Sequence, residues 1–285
     1  MASESPARIS LENTLVVVRG AGDLATGAVY RLFRSGFPVV ATEVPQPLVV
    51  RRSVSFAEAI FTGRVEVEGL VSTRADRLAQ VWPTIRAGQV PILVDPDGEV
   101  IRELRPTVVV DAIMAKRNLG TRIDMAPVVI ALGPGFTAGE DAHAVIETNR
   151  GHNLGRVILS GEAEPDTGIP GEVGGRLGER VLHAPTDGTL EVLTPIGSQV
   201  KTGELLARVN GQPVLAPFDG ILRGMLKEGL NVFKGLKIGD IDPRCAREHC
   251  FTISDKALAV GGGVLEASLY LLRAQARTLG ESTAI

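Results

Sequence analysis

An ungapped internal repeat between residues 184 and 241 most restricts what this chain can fold into. The motif Ala-Pro-x-Asp-Gly occurs at Ala184 and again at Ala216, and the similarity continues beyond both motifs. The further matched pairs are Leu190 with Leu222, Gly197 with Gly229, Val200 with Val232, Gly203 with Gly235, Leu206 with Ile238 and Val209 with Ile241. Each half has short alternating apolar runs between Asp-Gly and glycine-rich turns, which is the pattern of short β-strands. Neither half could bury its apolar face alone, so we expect the two halves to fold against each other.

This repeat resembles the barrel-sandwich hybrid of biotinyl and lipoyl domains, in which two such halves pack about a pseudo-two-fold axis. Those domains attach their cofactor to a lysine in the turn between the halves. The corresponding turn here is Val-Asn-Gly-Gln-Pro at 209–213, and Lys201 and Lys227 lie elsewhere in the repeat. We therefore expect neither biotin nor lipoate. We predict that this module is structural, a docking surface or a lid.

The N-terminal half has the pattern of a βαβ unit. A β-branched run at 15–19 leads into glycine, a helical stretch at 24–35 ends at Gly36, and a second strand follows at 38–43. Further strands are predicted at 90–94, 108–113, 128–132 and 156–159, and further helices at 72–87 and 139–149. Because strands and helices alternate, the predicted fold class is α/β, with a Rossmann-like doubly wound parallel sheet, a second, small all-β barrel-sandwich hybrid domain and a C-terminal helix.

These patterns divide the chain into four segments. We predict a Rossmann-like nucleotide-binding domain at 1–165, a linker at 166–180, the hybrid domain at 181–245 and a C-terminal helical segment at 246–285. In the last segment Ser254 is a good N-cap for a helix from Asp255 to about Thr278. The three glycines at 261–263 would cost that helix about 2–3 kcal/mol. We expect a break between two helices there, and close packing is the alternative explanation.

The strongest chemical signal is Gly20-Ala-Gly-Asp-Leu-Ala25, which fits G-x-G-x-x-G/A between the first predicted strand and helix. Glycines there allow a tight turn and let a pyrophosphate approach backbone N–H groups at the positive end of the helix. Glu43, at the end of the second strand, is placed to accept hydrogen bonds from a ribose. The alternative is that the glycines only let strand and helix pack closely. The predicted cofactor contacts in this unit are Gly20, Ala21, Gly22, Asp23, Leu24 and Glu43.

Other residues modify or extend the predicted anion site. The carboxylate of Asp23 would repel phosphate unless it caps the helix. Guanidinium forks suit phosphate or carboxylate, so Arg51 and Arg52 are candidate ligand contacts, with a solvated basic pair as an equal alternative. A second glycine turn, LGPGFTAGED, is predicted to join strand to helix. It could hold the other half of a dinucleotide through Gly133 and Gly135, or it could be only a turn.

A metal site is the minority interpretation of three further residues. In DAHAVIETNRGH, His143 and Glu147 are spaced to share one helix face, and His152 follows a predicted C-capping Gly151. This is an incomplete set of ligands, because metal proteins show tighter His or Cys groupings. The preferred interpretation is that His143 and Glu147 form a hydrogen-bonded pair near the entrance of the site.

The catalytic residues remain unknown at this level, with Cys250, His143 and Lys116 as candidates. Lys116 lies just beyond the carboxyl end of a predicted strand, where open sheets place ligands. Cys250 belongs to the segment CAREHC together with Cys245 and His249. Two thiols and an imidazole could take zinc with one more ligand, or receive sulfur or molybdenum. Small semi-buried residues are the preferred interpretation of that segment.

Composition argues against several functional classes. A net charge of -3 and a charged fraction of 22% give the chain no electrostatic reason to bind nucleic acid or a membrane. The chain has two cysteines and does not open with a charged region followed by an apolar run, so we expect neither a disulfide framework nor secretion. No run of apolar residues is long enough to cross a bilayer. These features predict a cytoplasmic globular protein.

Nearly the full length of the chain resembles one family, the selenium-dependent molybdenum hydroxylase accessory proteins. The matching stretches are VRGAGDLATG, PLVVRRSVSFAEAIFTG, VEVEGL, DAIMAKRN, LGPGFTAGEDAHAVIETNRGHNLGRVI, TGIPGEVGG and CFTISDKALAVGGGVLEA. The resemblance implies a role in molybdenum hydroxylase maturation, with the hydroxylase or its maturation proteins as partners. It also implies that the ligand is a dinucleotide, either NAD(P) or the molybdopterin dinucleotide cofactor.

Two other functions stay open beside this one. The chain could be an NAD(P)-dependent oxidoreductase, although it has no recognisable Tyr-x-x-x-Lys or His-Asp proton-transfer arrangement. It could also be a non-catalytic scaffold that docks on the hydroxylase. A homodimer is possible through the apolar seam Leu265, Leu269 and Leu272, which could equally belong to the core.

Overall fold

The computed structural model describes residues 10–166, 168, 175 and 178–282, with side chains as far as residue 276. In its N-terminal part the strands are β1 (Val16–Arg19), β2 (Val39–Glu43), β3 (Arg64–Val67), β4 (Leu70–Arg74), β5 (Val90–Val94), β6 (Val108–Asp111), β7 (Val128–Leu132), β8 (Thr137–Ala138), β9 (Ala144–Ile146), β10 (Val157–Ile158) and β11 (Gly161–Glu162). Nine of them form one sheet in the order β10-β9-β7-β6-β1-β2-β5-β4-β3, and β8 pairs with β11 separately. The large sheet is parallel except at its edges, where β3–β4 and β9–β10 pair antiparallel.

Both faces of the large sheet are covered, which explains why its central strands are runs of valine. The helices are α1 (Asp23–Arg34), α2 (Glu58–Thr62), α3 (Val81–Arg86), α4 (Glu99–Leu104) and α5 (Asp255–Ser282). Short 3₁₀ segments lie at Leu11–Asn13, Arg52–Val54, Leu78–Gln80, Ile123–Met125, Gly178–Arg180 and Arg247–Cys250. Helices α1 and α5 share one apolar core with one face of the sheet, and α3 and α4 contribute to the core on the other face. The predicted α/β class with an initial βαβ unit is confirmed.

Of two further predicted helices, one is right only in its second half and the other is wrong. Residues 72–87 begin inside β4, where Ser72 is a fully buried strand residue whose hydroxyl donates to Val90 O. Helical structure begins only at the 3₁₀ segment Leu78–Gln80, which leads into α3. Residues 139–149 contain strand β9, whose three residues are all buried and pair with β7 on one side and β10 on the other. The helical spacing of polar residues there arises from turns on either side of a short strand.

The three glycines at 261–263 do not break the C-terminal helix, because α5 is continuous. A Cβ atom at Gly261 would lie 2.4 Å from Gly27 O of α1, and one at Gly263 would lie 2.2 Å from Gly155 O. A Cβ atom at Gly262 would meet nothing within 4 Å. Two of the three glycines therefore allow backbones to approach closely, which offsets their low helix propensity.

Helix α5 runs from the carboxyl edge of the sheet to its amino edge. Its N-terminal turn packs on α1, and near its other end Gln275 Nε2 donates to Pro127 O, just before β7 begins. By length and composition Asp255–Ala276 could cross a membrane. The helix instead packs against α1 and the sheet, as a core helix of a globular protein does. The leucines of the predicted apolar seam do not share one environment, because Leu272 is buried and Leu269 is exposed.

The repeat region forms two four-stranded sheets around a separate apolar core. Its strands are β12 (Val181–His183), β13 (Gly188–Val192), β14 (Gln199–Val200), β15 (Leu205–Val209), β16 (Gln212–Leu215), β17 (Gly220–Met225), β18 (Asn231–Val232) and β19 (Lys237–Asp242). The sheet orders are β12-β19-β17-β14 and β16-β15-β13-β18. Each strand of the first sheet corresponds, in the other half of the repeat, to the strand at the same place in the second sheet. Each sheet therefore takes two strands from each half. The prediction that the two halves fold against each other is confirmed.

The turn that carries the cofactor lysine in carrier domains is a tight hairpin here. Asn210 and Gly211 join β15 to β16 with positive φ angles of 48° and 78°, as a type I′ turn requires. The predicted linker at 166–180 lies mostly outside the described residues. The four segment boundaries stay predictions.

Candidate functional site

The glycine loop, Gly20 to Asp23, lies at the point where the order of the large sheet reverses. After β1 the chain builds β2 to β5 on one side, and then returns to place β6 on the other side of β1. In open α/β sheets ligands bind outside the carboxyl ends of strands at such a point. Gly20 has a φ of 88°, and a Cβ atom there would lie 2.7 Å from Ala112 O. Only glycine therefore fits at this position.

A buried polar group fixes the two strand ends beside this loop. Arg19, which ends β1, forms an ion pair with Asp111, which ends β6, at 3.5 Å. Thr121 accepts a hydrogen bond from Arg19 and donates one to Asp111. All three side chains are buried. The ion pair and the two hydrogen bonds join the ends of β1 and β6, so this group holds the two strand ends that flank the glycine loop.

The N-terminus of α1 is open for an anion. Gly22 is the N-cap, and it has no side chain to accept the first N–H groups of the helix. Within the described residues the N–H groups of Gly22, Asp23 and Leu24 have no acceptor. A Cβ atom at Gly22 would meet only Val49 Cγ2, at 3.9 Å. These N–H groups at the positive end of a twelve-residue helix are suited to bind phosphate oxygens.

The carboxylate of Asp23 is not directed at the helix N–H groups as a cap. Its Oδ2 atom lies 3.8 Å from Nη1 of Arg51, and no side-chain capping bond forms at this helix. A carboxylate in the first turn still interacts favourably with the positive end of the helix dipole. Arg51 offsets part of the charge that would otherwise oppose a phosphate.

Glu43 holds the glycine loop in place through its own carboxylate. Its Oε2 atom accepts the N–H of Ala21 and its Oε1 atom accepts the N–H of Val44, both at 2.9 Å. Burial raises the pKa of Glu43, and the two backbone hydrogen bonds oppose that shift. The predicted position at the end of β2 is confirmed. The predicted contact with a ribose remains a prediction, and the carboxylate has a structural role besides.

Arg51 and Arg52 connect the segment after β2 to the C-terminal part of the chain. Arg51 Nη2 donates to His249 O at 2.8 Å, and Arg52 Nε donates to Met225 O in β17 at 2.8 Å. Arg52 also forms an ion pair with Glu58 at 3.0 Å. These contacts join parts of the protein to one another. They give no support to the prediction that either guanidinium holds phosphate.

The second glycine turn does not join a strand to a helix, so that part of its prediction is wrong. Gly133 and Gly135 follow β7 and lead to β8, both with positive φ angles. A Cβ atom at Gly133 would lie 2.5 Å from Thr148 Oγ1, and one at Gly135 would lie 2.6 Å from Arg117 Cα. Close packing accounts for both glycines, and there is no helix N-terminus here to hold a second phosphate.

Lys116 lies in the loop after β6, close to the sheet edge as predicted. Its Nζ atom forms an exposed ion pair with Asp166 Oδ2 at 2.7 Å, which lowers the pKa of that aspartate. Lys116 and Met114 both adopt positive φ, at 60° and 62°. Non-glycine residues with such angles in one loop are uncommon and often lie near functional sites.

The three predicted metal ligands do not form a metal site, although Glu147 and His152 line the same groove. Neither His143 nor Glu147 is on a helix. His143 Nδ1 accepts the N–H of Val129, and burial lowers the pKa of this histidine. The buried Glu147 carboxylate accepts the N–H groups of Asn149 and Glu164, at 2.6 and 2.7 Å. In the described part of the chain no group of three His, Cys, Asp or Glu side chains could hold a metal ion.

His152 lines a groove of about 400 Å³ at the β9–β11 side of the sheet. The other lining residues are Glu147, Asn153, Arg156, Ile158, Glu162 and Glu164. The glycine loop contributes nothing to this groove. The groove is therefore not the centre of the candidate site.

Cys250 is a poor candidate for a nucleophile. It is fully buried, its Sγ atom lies 3.8 Å from Leu222 O, and burial raises its pKa. A raised pKa disfavours the reactive thiolate. Cys245 is exposed, and both cysteines are free thiols.

Lys256, the second residue of α5, was not among the residues predicted for the site. Its ammonium group lies in the charged surroundings of Asp23, Glu147 and Arg150, and burial lowers its pKa. The signal was present, because Ser254 was recognised as the N-cap and does accept the N–H of Ala257. What could not be inferred was that α5 begins beside α1.

No family model matches the chain. Among curated proteins the chain is 50% identical over 258 residues to the uncharacterized protein YqeB of Escherichia coli strain K12. This match covers 90% of the chain and 48% of YqeB. The chain thus spans about half the length of the curated relative it matches.

Solved structures show only remote likeness. TcdA (CsdL) is 14% identical, with 92% of this chain and 89% of that chain covered and a TM-score of 0.31. The product-bound ectoine utilization protein EutE (DoeB) from Ruegeria pomeroyi is 13% identical, with coverage of 80% and 85% and a TM-score of 0.23. An aspartoacylase family protein from Mesorhizobium loti is 9% identical, with coverage of 75% and 59% and a TM-score of 0.24. These TM-scores are too low to carry an argument about fold or function.

Proposed function

We propose that this protein binds a dinucleotide at the glycine loop and serves in the maturation of molybdenum hydroxylases, including selenium-dependent ones. The single observation that carries the binding proposal is the open N-terminus of α1 at the topological switch point. There the N–H groups of Gly22, Asp23 and Leu24 have no acceptor within the described residues. A pyrophosphate supplies the oxygens that these donors lack. The maturation role rests on the resemblance of the matching sequence stretches to accessory proteins of these enzymes.

Two finer descriptions of the fold belong to this proposal. The parallel sheet with its glycine loop is a Rossmann-like domain, and the two exchanged sheets of the repeat region are a barrel-sandwich hybrid without the modified lysine. The molybdopterin dinucleotide cofactor is the preferred ligand, since its pyrophosphate suits the same loop, and NAD(P) is the alternative. The partners would be the hydroxylase or its maturation proteins, in the cytoplasm.

The repeat region would not act as a mobile lid on this site. A Cβ atom at Gly224 in β17 would lie 2.7 Å from Val50 O, and Arg52 donates to the neighbouring Met225 O. The side chains of Val50 and Phe61 pack against the apolar core of the repeat region. These contacts favour a fixed structural role for the repeat region, or a role as a docking surface for a partner protein.

A calorimetric screen tests the binding proposal with NAD, NADP, FAD, cytidine nucleotides and isolated molybdenum cofactor. Gly22→Asp is the negative variant, because its carboxylate would accept the free N–H groups and repel phosphate. Gly22 has an ordinary φ of -65°, so the change causes no backbone strain. Gly22→Ser is the matched control, since it can cap the helix without adding charge.

The expected result is binding of a molybdopterin or cytidine ligand by the native protein, weaker binding by Gly22→Ser, and none by Gly22→Asp. Binding of NAD(P) alone, with turnover of a carbonyl compound, would replace the maturation proposal with an oxidoreductase. If the native protein binds none of these ligands but co-purifies with a molybdenum hydroxylase, it is a scaffold.

A further inference from the structure

The N-termini of α1 and α5 open side by side at the same edge of the sheet. A Cβ atom at Gly27, one turn into α1, would lie 2.3 Å from Ala257 O in the first turn of α5. Both helices run from the carboxyl edge of the sheet towards its amino edge. Lys256 directly precedes Ala257, and Asp23 lies one turn before Gly27. The first turn of α5, which carries Lys256, therefore lies beside the first turn of α1, and the charge of Asp23 acts on the ammonium group of Lys256.

The charged groups near Lys256 form hydrogen bonds or ion pairs with other residues. Asp255 forms two hydrogen bonds with Arg150, at 2.8 and 3.1 Å. Glu147 accepts two backbone N–H groups, and Asp23 lies within 3.8 Å of Arg51. Within the described residues, Lys256 Nζ makes no hydrogen bond and no ion pair. The ammonium group is thus the one member of this charged cluster without a partner in the described part of the chain.

Lys256 is partly buried but can still reach solvent. Holding an ammonium group in such a place costs free energy, which is expressed as a lowered pKa with burial as its main cause. Packing does not require this amine, because an aliphatic side chain would fill the same space without desolvating a charge. An anion arriving at the glycine loop would remove the penalty.

We propose that Lys256 is a binding residue of this site, and that its Nζ atom donates to the phosphate groups of a ligand held on the N-terminus of α1. This inference rests on the proposed dinucleotide function and adds a second, positively charged contact from a helix more than two hundred residues away in the sequence. The chemical class of ligand is a pyrophosphate-containing nucleotide. The phosphate lies between the free N–H groups of Gly22 to Leu24 and the ammonium group of Lys256.

Inorganic pyrophosphate is the probe for this contact, because it isolates the phosphate part of the ligand. Calorimetry would compare the native full-length protein with Lys256→Ala, Lys256→Arg and Lys234→Ala. Lys234 is an exposed lysine of the repeat region and serves as the matched control. Loss of one charge-assisted hydrogen bond should weaken pyrophosphate binding about tenfold in Lys256→Ala. Lys256→Arg should retain most of the affinity, and Lys234→Ala should match the native protein.

A labelling measurement gives a second readout that does not depend on any variant folding. Acetic anhydride would be reacted with the native protein in limiting amount, with and without pyrophosphate, and modification of each lysine measured by mass spectrometry. Pyrophosphate should protect Lys256 and leave Lys234 unchanged.

The outcomes separate this inference from the proposed function. If pyrophosphate binds the native protein but not Gly22→Asp, while Lys256→Ala binds as tightly as native and Lys256 is not protected, only the role of Lys256 is overturned. If neither pyrophosphate nor any nucleotide binds the native protein, the proposed function and this inference both fail.

Discussion

The N–H of Ala21 donates to Oε2 of Glu43 at 2.9 Å, while Oε1 of the same carboxylate accepts the N–H of Val44. One side chain at the end of β2 thus fixes the backbone of the glycine loop after β1. The loop keeps its shape without a ligand, so its free N–H groups are arranged in advance for an anion. Preorganisation of this kind increases affinity by reducing the entropy lost on binding.

Glu43→Gln should destabilise the protein, because an amide has one oxygen acceptor where the carboxylate has two. Either the Ala21 N–H or the Val44 N–H would then face an NH₂ group. Leaving a partly buried donor unpaired costs about 1–3 kcal/mol. Urea unfolding followed by far-UV circular dichroism at pH 7 would measure the loss. Glu66→Gln, on the exposed side of edge strand β3, is the control and should change the free energy of unfolding by less than about 0.5 kcal/mol. Equal stability of the two variants would contradict the structural role of Glu43.

Arg52→Ala should weaken the contact between the repeat region and the segment that carries Arg52 and α2. The substitution removes the donor to Met225 O and one of the two cations paired with Glu58, the other being Lys227 at 3.3 Å. Since Glu58 is largely buried, we expect a loss of about 1–3 kcal/mol in the free energy of unfolding. Thermal unfolding by calorimetry would measure it, with Arg64→Ala on the exposed edge strand as control. If Arg52 instead held a phosphate, ligand affinity would fall in this variant while its stability stayed native.

The local patterns predicted the first βαβ unit and the repeat because both are encoded by residues close together in the sequence. Gly20, Gly22 and Glu43 could be placed for the same reason. The prediction failed where tertiary packing decides the outcome. Ala144 to Ile146 is a strand only because β7 and β10 lie on either side of it. Lys256 could not be assigned to the site, because nothing local shows that α5 starts beside α1.

The glycines at 261–263 show how a tertiary contact reverses a local expectation, and they allow a matched test. Gly261→Ala would place a methyl group 2.4 Å from the backbone oxygen of Gly27, so the two helices would have to separate. We expect a loss of about 2–3 kcal/mol in the free energy of unfolding, as for an overpacked core. Gly262→Ala meets nothing within 4 Å and should instead gain up to about 1 kcal/mol from helix propensity. Urea denaturation of both variants would measure this difference in sign, and destabilisation by both would contradict the open space around Gly262.

Lys256→Met should stabilise the protein while it weakens anion binding. Burial lowers the pKa of Lys256, with the charge of Arg150 adding to the shift and the nearby carboxylates opposing it. A lysine with a lowered pKa binds fewer protons in the folded state than in the unfolded state, so stability rises with pH between the folded-state and unfolded-state pKa values. Below that window the penalty is present in full. Removing a partly solvated charge while keeping the side-chain stem should therefore add about 0.5–1 kcal/mol to the free energy of unfolding at pH 7.

The same substitution should remove the part of the pH dependence that comes from Lys256. The free energy of unfolding of the native protein and of Lys256→Met would be measured with urea between pH 6 and about pH 10, close to the ordinary pKa of a lysine. The two curves should converge as the pH rises. Lys234→Met, in which the replaced ammonium group is exposed, should follow the native curve throughout. If Lys256→Met is instead less stable than the native protein at pH 7, the amine stabilises the fold. Its presence in a partly buried place would then need no ligand to explain it.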